Sequence, residues 1–294
     1  MLNKHKELKL KYGYKIASIV TESILVHDGG ITSEYSWLTG VCSDEYFESL
    51  IIENKNKILN PNKETLLHIF IGDILDSYFY GEVYTFRDNH YCDFSMDSII
   101  DFFENTFACI LREYDKPIKN FSGEIEKIDK KFDKERISED DYEEKLEEYI
   151  EYFDSKLDTI KHNIIEEVFY LLFANKRLIM EFNRILASYM SNLDKEEHSE
   201  IFDEHGNVKR CNSLPEWLKK AVFFKCNGIC QKCGKDLSNT FRVNEERELH
   251  YDHIIPLEKG GANDPTNFQI LCQSCNSHKS ASIEYQRNYY QSYW

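Results

Sequence analysis

No part of this chain is apolar enough to predict a membrane span. An apolar run at residues 16–26 is broken by Thr21 and Glu22, and it lacks the small-residue cleavage pattern of a secretory signal. A glycine pair at 29–30 stands without the GxxxxGK[ST] or GxGxxG frame that a phosphate-binding loop requires. These absences predict a protein of the reducing cytoplasm that does not use a membrane or such a nucleotide loop.

Proline is also scarce, with five residues in a chain of 294. Hydrophobic residues make up 41% of the sequence and aromatic residues 14%, a composition typical of globular proteins and unlike that of disordered ones. A chain of this length can bury a sizeable core, and it favours two domains over one.

Basic residues are too few to balance the acidic ones, and the formal net charge is −16. Residues 211–294 hold ten Lys and Arg against nine Asp and Glu, a net charge of +1, so the rest of the chain carries −17. A surface that acidic repels phosphate. We therefore expect residues 1–210 to regulate, dimerise or bind a protein regulator, and not to hold a DNA duplex.

Helical periodicity dominates the N-terminal two thirds, which predicts a mainly α domain over residues 1–195. Its clearest part, residues 121–195, predicts a long helical hairpin or coiled coil that favours homodimerisation or packing on the N-terminal core. The polar, aperiodic residues 196–212 are interpreted as a linker to a second domain at 213–294. The seam of the long segment consists of Tyr142, Leu146, Tyr149, Phe153, Leu157, Ile160, Ile164 and Val168.

Two CxxC pairs, Cys230 with Cys233 and Cys272 with Cys275, stand 38 residues apart. Four thiolates at such paired spacing are typical of a closed, tetrahedral and therefore structural zinc site. Structural thiols without a metal are the less favoured alternative. The other five cysteines are expected to be free thiols.

The residues between the pairs predict a small α+β unit. A strand is expected over 249–257, a loop at Gly260-Gly261 and Asp264-Pro265, a second strand over 268–271 and a helix from Cys275. A further helix begins near Pro215 and ends at Asn227-Gly228.

Residues 213–282 resemble the HNH nucleases, which have a ββα-metal fold. The resemblance rests on Asp252-His253-Ile-Ile-Pro-Leu, the Gly-Gly pair, Asn267 and Cys272-x-x-Cys275-Asn276-x-x-Lys279, preceded by Trp217-Leu218 and Cys230-x-x-Cys233-Gly234. It implies a zinc-stapled ββα-metal domain that acts on nucleic acid, double-stranded DNA in our interpretation.

The resemblance also implies roles for single residues. Asp252 and Asn276 would bind a catalytic Mg²⁺ or Mn²⁺, whose preferred ligands are oxygens. His253 would activate water as a general base, which suits an imidazole with a pKa near neutral. Adjacent strand residues point to opposite faces, so Asp252 and His253 need a twist or bulge to serve one site. Asn267 would hold the loop so that the ring of His253 is oriented. Lys279 would contact a phosphate, and His278 would be a phosphate or metal contact or a plain surface residue.

We interpret the chain as a metal-dependent endonuclease of the kind found in restriction and anti-phage effectors, an analogy of domain arrangement only. The alternative is a zinc-stapled nucleic-acid-binding module that has the fold without the chemistry. A buried structural histidine is the corresponding alternative for His253.

Overall fold

A computed structural model describes residues 11–25, 40–90, 108–116, 139–238, 249–280 and 282–283, with single positions at 123, 127 and 130. These residues are mostly helical. None of the helices within these ranges is long and apolar enough to cross a membrane. The elements are α1 (Lys11–Leu25), α2 (Asp44–Glu53), α3 (Lys55–Leu59), α4 (Leu66–His90), α5 (Cys109–Glu113), α6 (Glu139–Phe173), α7 (Lys176–Asn192), α8 (Glu216–Lys225), β1 (Leu249–His253), β2 (Phe268–Cys272) and α9 (Gln273–Lys279).

The C-terminal part forms a two-stranded antiparallel sheet followed by a short helix. Strands β1 and β2 pair from Leu249 opposite Cys272 to His253 opposite Phe268, and α9 packs against both strands. This arrangement confirms the predicted fold class of a mainly helical protein with a small ββα unit. Strand β1 ends at His253, earlier than the predicted residue 257, because the chain turns at residues 254–255 and Pro256 has no N–H to donate.

The long seam of apolar residues lies on one 35-residue helix, α6. From the middle of this helix onward, the seam residues Phe153, Leu157, Ile160, Ile164 and Val168 are buried, as the periodicity predicts. The hairpin itself is not confirmed, because its first arm within 121–138 falls almost wholly outside the described residues.

The chain divides into two compact units. One unit comprises the described residues within Met1–Ile16 and Leu75–Val168, and the other those within Ala17–Ile74 and Phe169–Trp294. The second unit therefore joins an N-terminal stretch to the ββα unit. The predicted division into 1–195, a linker at 196–212 and 213–294 stays a prediction. Within 196–212, Ile201, Phe202 and Val208 are buried.

The loop that connects β1 to β2 is buried against helices of the second unit. Asp264, which has no exposed surface, accepts a hydrogen bond from the backbone N–H of Leu66 at 2.8 Å through Oδ2. Its Oδ1 accepts from the amide and the hydroxyl of Thr266. Asn183 on α7 donates to Thr266 Oγ1 at 3.1 Å. Since Leu66 is the first residue of α4, Asp264 caps that helix from about 200 residues away in sequence.

Replacing Asp264 with alanine should lower the free energy of unfolding by about 1–3 kcal/mol, because the amide of Leu66 and the polar groups of Thr266 would lose their buried acceptor. Chemical denaturation measures the loss. The matched control is Asn175→Ala, which removes the local side-chain cap of α7 and should cost less. An Asp264→Ala protein no less stable than this control would contradict the anchoring role.

Candidate functional site

The first cysteine pair lies in a tight turn after α8. Cys230 N–H donates to the carbonyl of Lys235 at 2.8 Å, and Gly234 N–H donates back to the carbonyl of Cys230 at 2.9 Å. Gly234 has a φ of +74°, which glycine adopts at little cost. The backbone N–H of Gln231 donates to the carbonyl of Ile270 at 3.0 Å, which attaches this turn to β2.

The second pair is presented by the junction of β2 and α9. Cys272 ends the strand and precedes the helix, and Cys275 lies in the first helical turn. The four sulfur atoms all lie within 4.8 Å of one another, and Cys233 and Cys272 are 3.8 Å apart. A tetrahedron with ~2.3 Å zinc–sulfur bonds has edges of about 3.8 Å. The donor set and its spacing therefore fit a structural zinc ion.

Thiol ionisation at this cluster depends on the local backbone. Burial acts to raise the pKa of Cys230, but hydrogen bonds from the amides of Cys272, Cys233 and Lys232 outweigh it and lower that pKa to about 7. The pKa values of Cys233 and Cys275 are raised, first by burial and then by hydrogen bonds to neighbouring thiols. A bound divalent cation would stabilise the thiolate form of these cysteines, including those whose pKa is raised, because thiols deprotonate when they coordinate a metal.

Asp252 is held by a buried polar network on one side of β1. Its Oδ2 accepts from Lys279 Nζ and from Gln269 Nε2, both at 2.9 Å. Lys279 is only 3% exposed, and its Nζ also donates to the backbone carbonyl of His253 at 2.7 Å. Both contacts are made to Oδ2. The other carboxylate oxygen, Oδ1, has no hydrogen-bond partner among the described residues.

The ring of His253 makes no hydrogen bond to this network. It is 5% exposed, packs against Phe268 with ring centroids 4.4 Å apart, and places Nε2 3.2 Å from Asn263 Oδ1. Burial, and then the positive charges of Arg210 and Lys279, lower the pKa of this imidazole to about 4, although Asn263 and Asp252 act in the opposite direction. The ring is therefore neutral at pH 7.

The strand register explains this separation. Asp252 is paired with Gln269 and His253 with Phe268, and the pairing of β1 with β2 continues through both positions without a bulge. Neighbouring strand residues point to opposite faces. The bulge that would bring the two side chains to one site is therefore missing from this pair of strands. In the structure, Asp252 forms an ion pair with Lys279, whereas His253 forms a hydrogen bond with Asn263.

The remaining residues of α9 differ in exposure. Asn276 is half-buried and lies three residues before Lys279, so the two share one face of the helix. His278 is exposed, with Nδ1 2.6 Å from the carbonyl of Ser274. The ammonium group of Lys279 pairs with the carboxylate of Asp252 and donates to the backbone carbonyl of His253. It is buried, whereas a phosphate contact would be exposed to solvent.

Asn267 ties the loop together, as a scaffold residue does. Its Oδ1 accepts from the amide of Ile255 at 2.8 Å, and its Nδ2 donates to the carbonyls of Ile255 and Ala262, both at 2.9 Å. Gly261 must be glycine here, because an added Cβ would overlap the carbonyl oxygen of Ile255. Gly260 has a φ of +78°, and its Cβ would press on a backbone oxygen of α7.

Comparison with protein-family models gives a match in this part of the chain. Residues 230–282 match the HNH endonuclease family. Comparison of the chain with curated proteins and with solved structures gives no match. This HNH segment contains both cysteine pairs, both strands and α9.

Two residues of the HNH segment were missed by the sequence reasoning. Gln269 supports Asp252, and Asn263 contacts His253. Asn263 stands directly before Asp264-Pro265, a pair interpreted only as part of a loop. The register of the strands could have indicated Gln269, since it lies opposite Asp252. The partners of Asn263 are distant in sequence, so no local pattern indicates its role.

The purified protein should contain about one zinc ion per chain, measured by elemental analysis. Cys233→Ser should lose most of this zinc, because three sulfurs remain where a closed site needs four ligands. Cys109→Ser is the control, since Cys109 is an exposed thiol outside the cluster. Equal zinc content in the two variants would contradict the assignment.

Gly261→Ala should destabilise the HNH segment by about 1–3 kcal/mol, since the new methyl group overlaps a backbone oxygen that cannot rotate away. Gly40→Ala is the matched control, because an added Cβ there meets nothing within 4 Å. Thermal unfolding of both variants compares them. Equal melting temperatures would show that the loop has more room than the structure indicates.

Proposed function

We propose that this protein is a metal-dependent endonuclease that hydrolyses phosphodiester bonds in DNA. The supporting observation is the match of residues 230–282 to the HNH endonuclease family, a segment that contains His253, whose imidazole has a lowered pKa, and Asp252, a carboxylate held through only one of its oxygens. A neutral imidazole can accept a proton, and an oxygen without a partner can bind a cation.

Asp252 Oδ1 and the side-chain oxygen of Asn276 are the proposed ligands of a catalytic Mg²⁺ or Mn²⁺. The two residues fit this group, because Lys279 reaches Asp252 from the helix face on which Asn276 also lies. No hydrogen bond engages the Asn276 carboxamide among the described residues. When bound, the cation would neutralise charge on the phosphate and on the leaving oxygen.

His253 is the proposed general base. It takes a proton from water while the water oxygen forms a bond to phosphorus, and the bond from phosphorus to the leaving sugar oxygen breaks. The leaving oxygen takes a proton from solvent, and the imidazolium then releases its own. Because the ring is 5% exposed, we infer that nucleic-acid binding displaces residues that cover it.

Further parts of the proposal rest on the sequence. The near-neutral charge of residues 211–294 makes this part of the chain the one able to approach double-stranded DNA, whereas the acidic N-terminal part regulates it or binds a protein regulator. The apolar seam of 121–195 supports homodimers. Eight free cysteines among the described residues support a reducing cytoplasm. A role in restriction or anti-phage defence is proposed by analogy of domain arrangement.

A second candidate function is a zinc-stapled module that binds nucleic acid without cleaving it. It is favoured by the salt bridge between Lys279 and Asp252 and by the low exposure of the His253 ring. In that case Lys279 permanently neutralises the carboxylate, and no cation binds there.

His253→Ala should reduce divalent-dependent nicking of supercoiled plasmid by at least about 100-fold, because the proton acceptor is removed. EDTA should abolish cleavage by the wild-type protein. His205→Ala is the control, since His205 lies in an exposed turn and its side chain is 74% accessible. It should cleave at the wild-type rate.

Three outcomes separate the two functions. A His253→Ala protein that nicks plasmid at the wild-type rate removes the base assignment. A wild-type protein that shifts DNA in a gel but cleaves neither supercoiled, linear nor single-stranded substrates with any divalent ion supports the binding module. Cleavage that depends on both the cation and His253 supports the nuclease.

A further inference from the structure

Asn263 links the HNH segment to the N-terminal part of the chain. It is completely buried, and its backbone N–H donates to the carbonyl of Ile58 at 2.8 Å. Its side-chain Nδ2 faces three carbonyl oxygens, those of Lys209 at 2.8 Å, Leu59 at 3.1 Å and Ile58 at 3.2 Å. Ile58 and Leu59 end α3, where the last carbonyls lack partners within the helix.

These contacts determine which way the carboxamide points. Carbonyl oxygens only accept hydrogen bonds, so the atom that faces three of them must be the NH₂ nitrogen. The oxygen therefore faces the other side, where it accepts from the amide of Cys211 at 3.3 Å and lies 3.2 Å from His253 Nε2. A flipped amide would set its oxygen against three others, none of which can donate a hydrogen bond to it.

The direction of the carboxamide in turn selects the protonated nitrogen of His253. A hydrogen bond between Nε2 and an oxygen acceptor requires a proton on Nε2. A neutral imidazole has a single ring proton, so Nδ1 carries the lone pair. Nδ1 is then the atom able to accept a proton from water.

We infer that Asn263 is a positioning residue that holds His253 in the Nε2–H tautomer, and that the end of α3 keeps Asn263 in the required orientation. The inference deepens the proposed function and rests on it for the catalytic consequence. It makes a segment near residue 58, more than 190 residues before His253 in sequence, part of the support for the nuclease site.

The test is the tautomer of His253, read at neutral pH from long-range ¹H–¹⁵N correlations of the full-length protein. His253→Gln identifies the signals by their loss. The wild-type ring should show Nε2–H and an unprotonated Nδ1. Asn263→Leu, which keeps the volume but removes the acceptor, should shift the ring toward a mixture of tautomers and lower kcat by about 10- to 100-fold.

One further variant separates positioning from general loss of structure. Asn183→Leu removes another buried carboxamide that bonds the same loop through Thr266 but makes no hydrogen bond to His253. It should lower stability and leave both the tautomer and kcat unchanged.

A wild-type ring with the proton on Nδ1 overturns the inference, and this measurement requires no variant to fold. An Asn263→Leu ring that keeps a pure Nε2–H tautomer overturns it as well. If the wild-type protein cleaves no nucleic acid, the proposed function fails, while the ring spectra still decide whether Asn263 positions His253.

Discussion

Buried polar groups in the loop between β1 and β2 must find hydrogen-bond partners, and this requirement shapes the second compact unit. The loop supplies Asn263, Asp264 and Thr266, none of which has any exposed surface. Leaving such groups without partners would cost about 1–3 kcal/mol each. Their partners come from the end of α3, the start of α4 and the middle of α7. The loop and these helices therefore depend on one another.

The cysteine cluster imposes a different, local constraint. Zinc at the four sulfurs would join the turn after α8 to the junction of β2 and α9, and would thus hold the HNH segment together at one end. The loop contacts hold it at the other end through helices that belong to the N-terminal part of the chain. Through Asn263, Asp264 and Thr266 the HNH segment is therefore bonded to helices that lie far before it in the sequence.

Sequence patterns performed best where the chemistry is local. The two CxxC pairs predicted a four-sulfur cluster, and these sulfurs lie together. Asn267 was expected to hold the loop, and its carboxamide makes three bonds within that loop. Periodicity predicted the long helix α6 and the burial of its seam from Phe153 to Val168, the part whose side chains the structure describes. Lys279 was expected to contact phosphate, but its ammonium group forms an ion pair with Asp252. Its position on α9 did not indicate this contact.

The amino-acid sequence alone determined the cysteine cluster and the order of strand, loop, strand and helix around it, because both follow from spacing and residue type over short distances. The tertiary structure decided which face of β1 presents Asp252 and which presents His253, and which atoms hold each of them. Those outcomes depend on burial and on hydrogen bonds between residues far apart in the chain. Asn263 and Ile58 meet across 205 positions, a pairing that is settled only when the whole unit packs.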